Sequence, residues 1–198
     1  MTNDETAAAD RDPYLLAQVR ESFGRVVYSH KTHEKQADLC FRRHRWQQAA
    51  LVALTAVSTG TFLTAMVGVL GTPVLTSLVT SFIALLVTAL SLSATTFKFS
   101  EEADAHRDSA SRLWDVRESY LSLIADLMSG TASDAEVRAR REELQEAARA
   151  VYAEASRTSV KAFSTAQEGL KDNEEMTFTP REIDLFLPAA LRLDEGEA

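Results

Sequence analysis

The sequence predicts an all-α membrane protein, a two-helix transmembrane hairpin continuous with a long cytoplasmic helical bundle or coiled coil. Three observations predict it. From Ala49 to Phe97 there is no Asp, Glu, Lys, Arg or His, although a quarter of the chain is charged. Gly71-Thr72-Pro73 is the only strong interruption of that run. On both sides of it, apolar and small residues recur in alternating steps of three and four, the period of a helix buried along one face.

Composition sets outer bounds. The 198 residues carry a formal net charge of -8, with all of the charge outside the apolar run. An acidic balance argues against direct nucleic-acid binding, which needs clustered Lys and Arg to displace phosphate counterions. The polar, acidic start Met1-Thr2-Asn3-Asp4-Glu5 does not read as a signal peptide. Cys40 is the only cysteine, so no intrachain disulfide can form and a reducing compartment is the simpler assumption.

Residues 1–12 read as a disordered N-terminus, and an amphipathic cytoplasmic helix follows over 13–47. Leu16, Val19, Phe23, Val26, His30, His33, Ala37, Cys40 and His44 keep the three-four alternation, so this helix is expected to run unbroken into the bilayer. A helix rises about 1.5 Å per residue and a bilayer core is about 30 Å thick, so roughly 20 apolar residues span it. The run is too long for one pass and divides into spans at 48–70 and 74–97, joined by an extracytoplasmic turn at 71–73. Pro73 suits the first turn of the second helix, where its missing N–H leaves no helical partner unmet.

Arg42, Arg43 and Arg45 precede the first span and Lys98 follows the second, while the turn holds no positive residue. The positive-inside rule therefore places both termini in the cytoplasm, with these four cations and Trp46 as interface anchors. The same basic stretch could instead bind anionic lipid specifically. Within the first span, Ala56, Gly60, Thr64 and Gly68 fall at four-residue steps, a spacing that lets helices approach closely. Ser77, Ser81, Ala84, Thr88, Ser91 and Thr95 form one small, hydroxyl-bearing seam on the second. That seam is either a helix-packing surface, with hydroxyls bonded to carbonyls one turn back, or the lining of a pore in an oligomer. The lack of an ionisable side chain in either span argues against a proton relay or coupled transport.

A second cytoplasmic helix is expected over 98–129, its face formed by Phe99, Ala103, His106, Ala110, Leu113, Arg117, Tyr120, Ile124 and Leu127. Ser129-Gly130-Thr131-Ala132 ends it. Ser133 then reads as the N-cap of a return helix over 133–170, with Glu136 completing a capping box. Val137, Leu144, Ala148, Val151 and Ala155 give that helix a face. Residues 171–198 read as a linker and a short C-terminal helix that starts at Thr179-Pro180-Arg181-Glu182. Seams rich in Ala and His rather than Leu suggest a modestly stable bundle and a homo-oligomer.

No phosphate-cradling glycine loop, nucleophile elbow or pair of acids in an apolar setting is present, so nothing reads as an enzyme and no cofactor is expected. The one constellation worth weighing is histidine. All four, His30, His33, His44 and His106, fall with Cys40 on the inferred inward seams. They are either half-buried seam residues bonded to neighbours or a cytoplasmic ring that binds a metal or senses pH. Spacing such as His30/His33 on one helix does not complete a ligand set, so no metal site is assigned from sequence.

The chain resembles the SLATT domain, the two-transmembrane effector domain found with bacterial nucleotide-second-messenger and related conflict systems. The resemblance rests on Tyr28 to Trp46 running into the first span, the minimal hairpin, and FKFSEEADAHRDSASRLWDVRESYLSLIADL after it, with Glu102-Ala103, His106-Arg107, Leu113, Arg117 and Tyr120. The return helix and the tail TFTPREIDLFLP are similar to the extended members. It covers nearly the whole chain from about residue 14. It implies a pore-forming effector of antiphage defence in the bacterial inner membrane, one that acts on the lipid bilayer and arrests or kills the infected cell. It further implies a trigger, a nucleotide second messenger or a sensor protein, and no catalytic residues.

Overall fold

The computed structural model describes residues 12–58, 69, 72–188 and 191–192. Its main elements are α1 (Pro13–Ser58), α2 (Pro73–Thr96), α3 (Phe99–Ser129), α4 (Asp134–Glu154), α5 (Val160–Lys171) and α6 (Pro180–Phe186), with no strand among the described residues. Gly60, Thr64, Gly68 and Gly71 lie outside the described residues, as do residues 1–11.

α1 is one helix of 46 residues with no break at Gln48, where the charged segment gives way to the apolar one. α3 packs antiparallel along it, and this pair is the most extensive contact in the molecule. The seam differs along its length. At the end away from the apolar run, Leu15, Val19 and Val26 meet Leu113, Val116, Tyr120, Leu123 and Leu127, and α4 closes the cluster with Val137, Leu144, Ala148 and Val151. Burying a side chain of the Leu or Val class is worth about 1.5–3 kcal/mol. Nearer the apolar run, the same seam is built from His30, His33, Ala37 and Cys40 against Ala103, His106, Ser109 and Ala110, while Thr32 and Gln36 are buried toward α5.

Local sequence sets the helix ends. Gly130 closes α3 in the left-handed conformation, φ 79°, which a residue without Cβ adopts at little cost. Ser133 and Glu136 form the expected capping box on α4, with Ser133 N–H donating to Glu136 Oε2 at 2.9 Å. Thr179 and Glu182 do the same on α6. Arg138 binds Asp12 at 2.7 Å and so ties α4 to the residue preceding α1.

The return helix expected over 133–170 is two helices. Residues 155–159 are not helical, with Ala155 and Ser159 extended, and α5 then lies against α1. Ser156, Thr158 and Ser159 supply hydroxyls that compete for backbone groups. Ser159 caps α5 through its Oγ, which accepts from Ala162 N–H at 3.2 Å. Its own N–H and hydroxyl both donate to Gln36 Oε1, at 3.0 and 2.7 Å, which pulls the segment onto α1. Only small residues, Ala162, Ala166 and Gly169, are buried on α5, so it sits close. Beyond it, Glu175 reaches back to Lys31 and Lys35, each at 2.9 Å.

α2 is different in kind. No charged residue occurs in its 24 residues, and Val74, Leu78, Phe82, Leu85 and Leu92 are each more than 60% exposed. A continuous apolar surface of this kind is unfavourable in water and ordinary in lipid. By length and composition, the helical stretch containing α2 is the one among the described residues able to cross a membrane, and none of its apolar window is buried. Pro73 stands in its first turn as expected.

Two substitutions test the bundle. Leu113→Ala should lower unfolding free energy by about 2–5 kcal/mol, read by thermal or denaturant unfolding in detergent. A loss below 1 kcal/mol would contradict the buried position of Leu113. Ser159→Ala should raise amide hydrogen exchange at the start of α5 while leaving α4 protected, since it removes a cap worth about 1 kcal/mol together with the hydrogen bond to Gln36.

Candidate functional site

The residues singled out from sequence gather in two places, the outer face of the membrane hairpin and the polar layer of the α1–α3 seam.

In the hairpin, α2 meets α1, and its half-buried residues include Ile83, Leu86, Leu90 and Ser93. Gln47 Nε2 donates to Ser93 Oγ at 3.0 Å and fixes the register. Ser77, Ser81, Ala84, Thr88, Ser91 and Thr95 are all exposed, on the other side of the helix. The predicted seam therefore does not face the described part of the first span, residues 48–58. Ser77, Thr88 and Thr95 donate to the carbonyls of Val74, Ala84 and Leu92 at 2.9 Å, the bonding expected of hydroxyls on an apolar helix. On α1, Ala56 is exposed too, whereas Leu51, Leu54, Val57 and Ser58 are half-buried. Of the four small residues read as a close-packing stripe, the one described thus lies away from the covered face.

The interface residues gather at one level. Arg42, Arg43, Arg45 and Trp46 are exposed, and Lys98 pairs with Glu101 at 2.9 Å. Arg43 lies over the Phe99 ring at 5.9 Å, and Phe97 stacks on Phe99 with centroids 5.7 Å apart. Arg42, Arg43 and Lys161 of α5 line a groove of about 690 Å³ beside Trp46 and Ser93.

In the polar layer, α1 and α3 bring His33 and His106 together, Nδ1 to Nδ1 at 3.0 Å, with ring centroids 5.1 Å apart. One ring donates and the other accepts, so the contact needs at least one neutral imidazole. Burial pushes His33 down to about 4, helped by repulsion from His106 and His30. Burial also lowers His106, against the pull of Glu102. Cys40, fully buried, accepts from Gln36 Nε2 at 3.3 Å, and burial raises its thiol pKa despite that bond. His106 has no exposed surface, and its Nε2 is buried without a hydrogen-bond partner among the described residues.

Of the five residues considered from sequence, the structure brings together His33, His106 and Cys40. His30 lies a turn away and donates from Nδ1 to Ala110 O at 2.9 Å. His44 is half-buried, a turn beyond Cys40. Sequence reasoning missed Glu102 and Gln36. Glu102 precedes His106 by four residues and Gln36 precedes Cys40 by four, the spacing that puts two side chains on one helix face.

Comparison with known proteins places this architecture. No curated protein and no solved structure matches the chain. The model of the SMODS and SLOG-associating 2TM effector domain family 4 matches residues 15–182, from the first buried leucine of α1 into α6. That span takes in the hairpin, the α1–α3 seam and both return helices, so the chain belongs to the SMODS and SLOG-associating two-transmembrane effector domain family, and within it to family 4.

Proposed function

We propose that this chain is an oligomeric inner-membrane effector, with no enzymatic activity of its own, that permeabilises the bilayer in antiphage defence when a cytoplasmic signal repacks its helical bundle. The observation that carries this reading is the placement of the Ser77–Thr95 seam on the side of α2 turned away from α1. A small, hydroxyl-bearing face left uncovered by its own hairpin suits a second copy or a water-filled lumen better than lipid tails, because small residues allow close approach between helices. Family membership supports a membrane effector in conflict systems.

Arginines on one side of the spans and none in the turn favour cytoplasmic termini. The signal then meets the bundle, where the folded surface lies. A nucleotide second messenger or a sensor protein is the kind of trigger this reading requires, and it must bind the closed and open arrangements with different affinity.

A second reading has its own support. The hydroxyls of Ser77, Thr88 and Thr95 are already satisfied by carbonyls of their own helix, which suits a packing surface in a membrane-anchored scaffold that recruits a cytoplasmic partner without permeation. The two readings part on one experiment. Purified protein in liposomes should release an entrapped small dye. The double substitution Ser81→Leu with Thr88→Leu should cut release several-fold while membrane insertion is retained. Unchanged release with both substitutions removes that face from any pore. Full activity after replacement of the hairpin by an unrelated one establishes the scaffold instead.

A further inference from the structure

Cys40, Glu102 and His106 offer ligand atoms that all lie within 4.8 Å of one another, at the level where α1 and α3 meet the apolar run. A thiol, a carboxylate and an imidazole are the donors of a zinc site, and three protein donors leave a fourth position for water. From these residues we infer a divalent-metal site of the zinc class, formed by Cys40 Sγ, a Glu102 carboxylate oxygen and His106 Nε2, which joins α1 to α3 at the base of the hairpin. The inference does not depend on permeation, and a non-conducting scaffold would hold the same site.

The second argument is the histidine itself. His106 is completely buried, and its Nδ1 is engaged by His33 at 3.0 Å, while Nε2 is left without a partner among the described residues. A buried nitrogen with no partner costs on the order of 1–3 kcal/mol in general. A metal at Nε2 removes that deficit. Ligating histidines as a rule donate their other N–H to an acceptor, which fixes the tautomer and turns the ring. His33 Nδ1 stands where that acceptor belongs.

The surroundings of the sulfur fit as well. Gln36 Nε2 donates to Cys40 Sγ at 3.3 Å, and such a bond stabilises a thiolate, the form that binds metal. Gln36 is held in turn by the N–H and hydroxyl of Ser159, so α5 belongs to the outer support of the site. Glu102 is exposed, giving the ion a path from solvent to a set otherwise buried. Binding releases the Cys40 proton to solvent and leaves the metal-bound water in the open position, with no change of oxidation state.

The test uses the full chain in detergent under reducing conditions, stripped with a chelator and titrated with Co²⁺ as a spectroscopic stand-in for zinc. One Co²⁺ per chain should bind, with a thiolate-to-cobalt charge-transfer band that Zn²⁺ abolishes, and Zn²⁺ should raise the melting temperature. Cys40→Ser should remove the band. Glu102→Gln, at an exposed position that does not threaten folding, should weaken Zn²⁺ binding about tenfold or more. His33→Gln should weaken it by about 10–100-fold, the usual cost of losing a ligand's hydrogen-bond partner, while His30→Gln leaves it unchanged. Absence of a thiolate band in the wild-type chain, or Zn²⁺ affinity unaltered by Glu102→Gln, overturns the inference even if Cys40→Ser does not fold.

Discussion

Because α1 runs without a break from Pro13 to Ser58, whatever packs along its charged half also sets the position of its apolar half. α3 is the element that does so over the greatest length. The seam between them changes chemistry midway, from Leu, Val and Tyr at the far end to His, Cys, Ser and Ala near the hairpin. Burial energy follows apolar area, so the far half holds the pair together and the near half contributes little by size alone. The near half is held instead by directional contacts, His33 to His106 and His30 to Ala110 O across the seam, with Gln36 joining α1 to the start of α5 through Ser159.

The division bears on where the bundle can rearrange. A rigid far core and a hydrogen-bonded near layer make the layer the cheaper place to repack, because its contacts can be exchanged for water or a ligand without opening a cavity among large side chains. α5 rests on this layer through small residues, and its start is joined to Gln36. A change at α5 is therefore transmitted to the same residues that flank Cys40 and His106. The Glu175 pairs with Lys31 and Lys35 fasten the far end of the same element to the same stretch of α1.

Much of the fold was legible because the decisive signals are local. The uninterrupted three-four period of α1, the glycine stop at Gly130 and the capping boxes at Ser133 and Thr179 each follow from a few neighbouring residues. The division of the return helix was not, since no glycine or proline marks 155–159 and the competing partner, Gln36, lies 123 residues away. Buried Leu15, Ser22 and Gln36 fell one position from the predicted stripe because a period of 3.6 allows either of two adjacent residues to face inward. The histidines were legible as a group but not as pairs, and Glu102, whose carboxylate lies near Cys40 and His106, was not read as a site residue because it lies at the rim of the seam rather than on it.

The hairpin shows the same limit from the other side. A periodic row of Ser, Thr and Ala identifies a face, and the arithmetic that found Ser77 to Thr95 is sound. Periodicity has no term for what the face opposes. Small residues serve a helix–helix contact within one chain and between two chains equally well. What the described residues add is which side chains stand toward α1. Ile83, Leu86 and Leu90 take the position against α1, and Gln47, the last but one residue before the uncharged run, locks Ser93 there. With that register fixed, the hydroxyl row cannot turn toward α1 without breaking the Gln47–Ser93 bond and carrying Leu86 and Leu90 off the covered face. Among the described residues, the uncovered row is thus a consequence of how the bulkier residues pack.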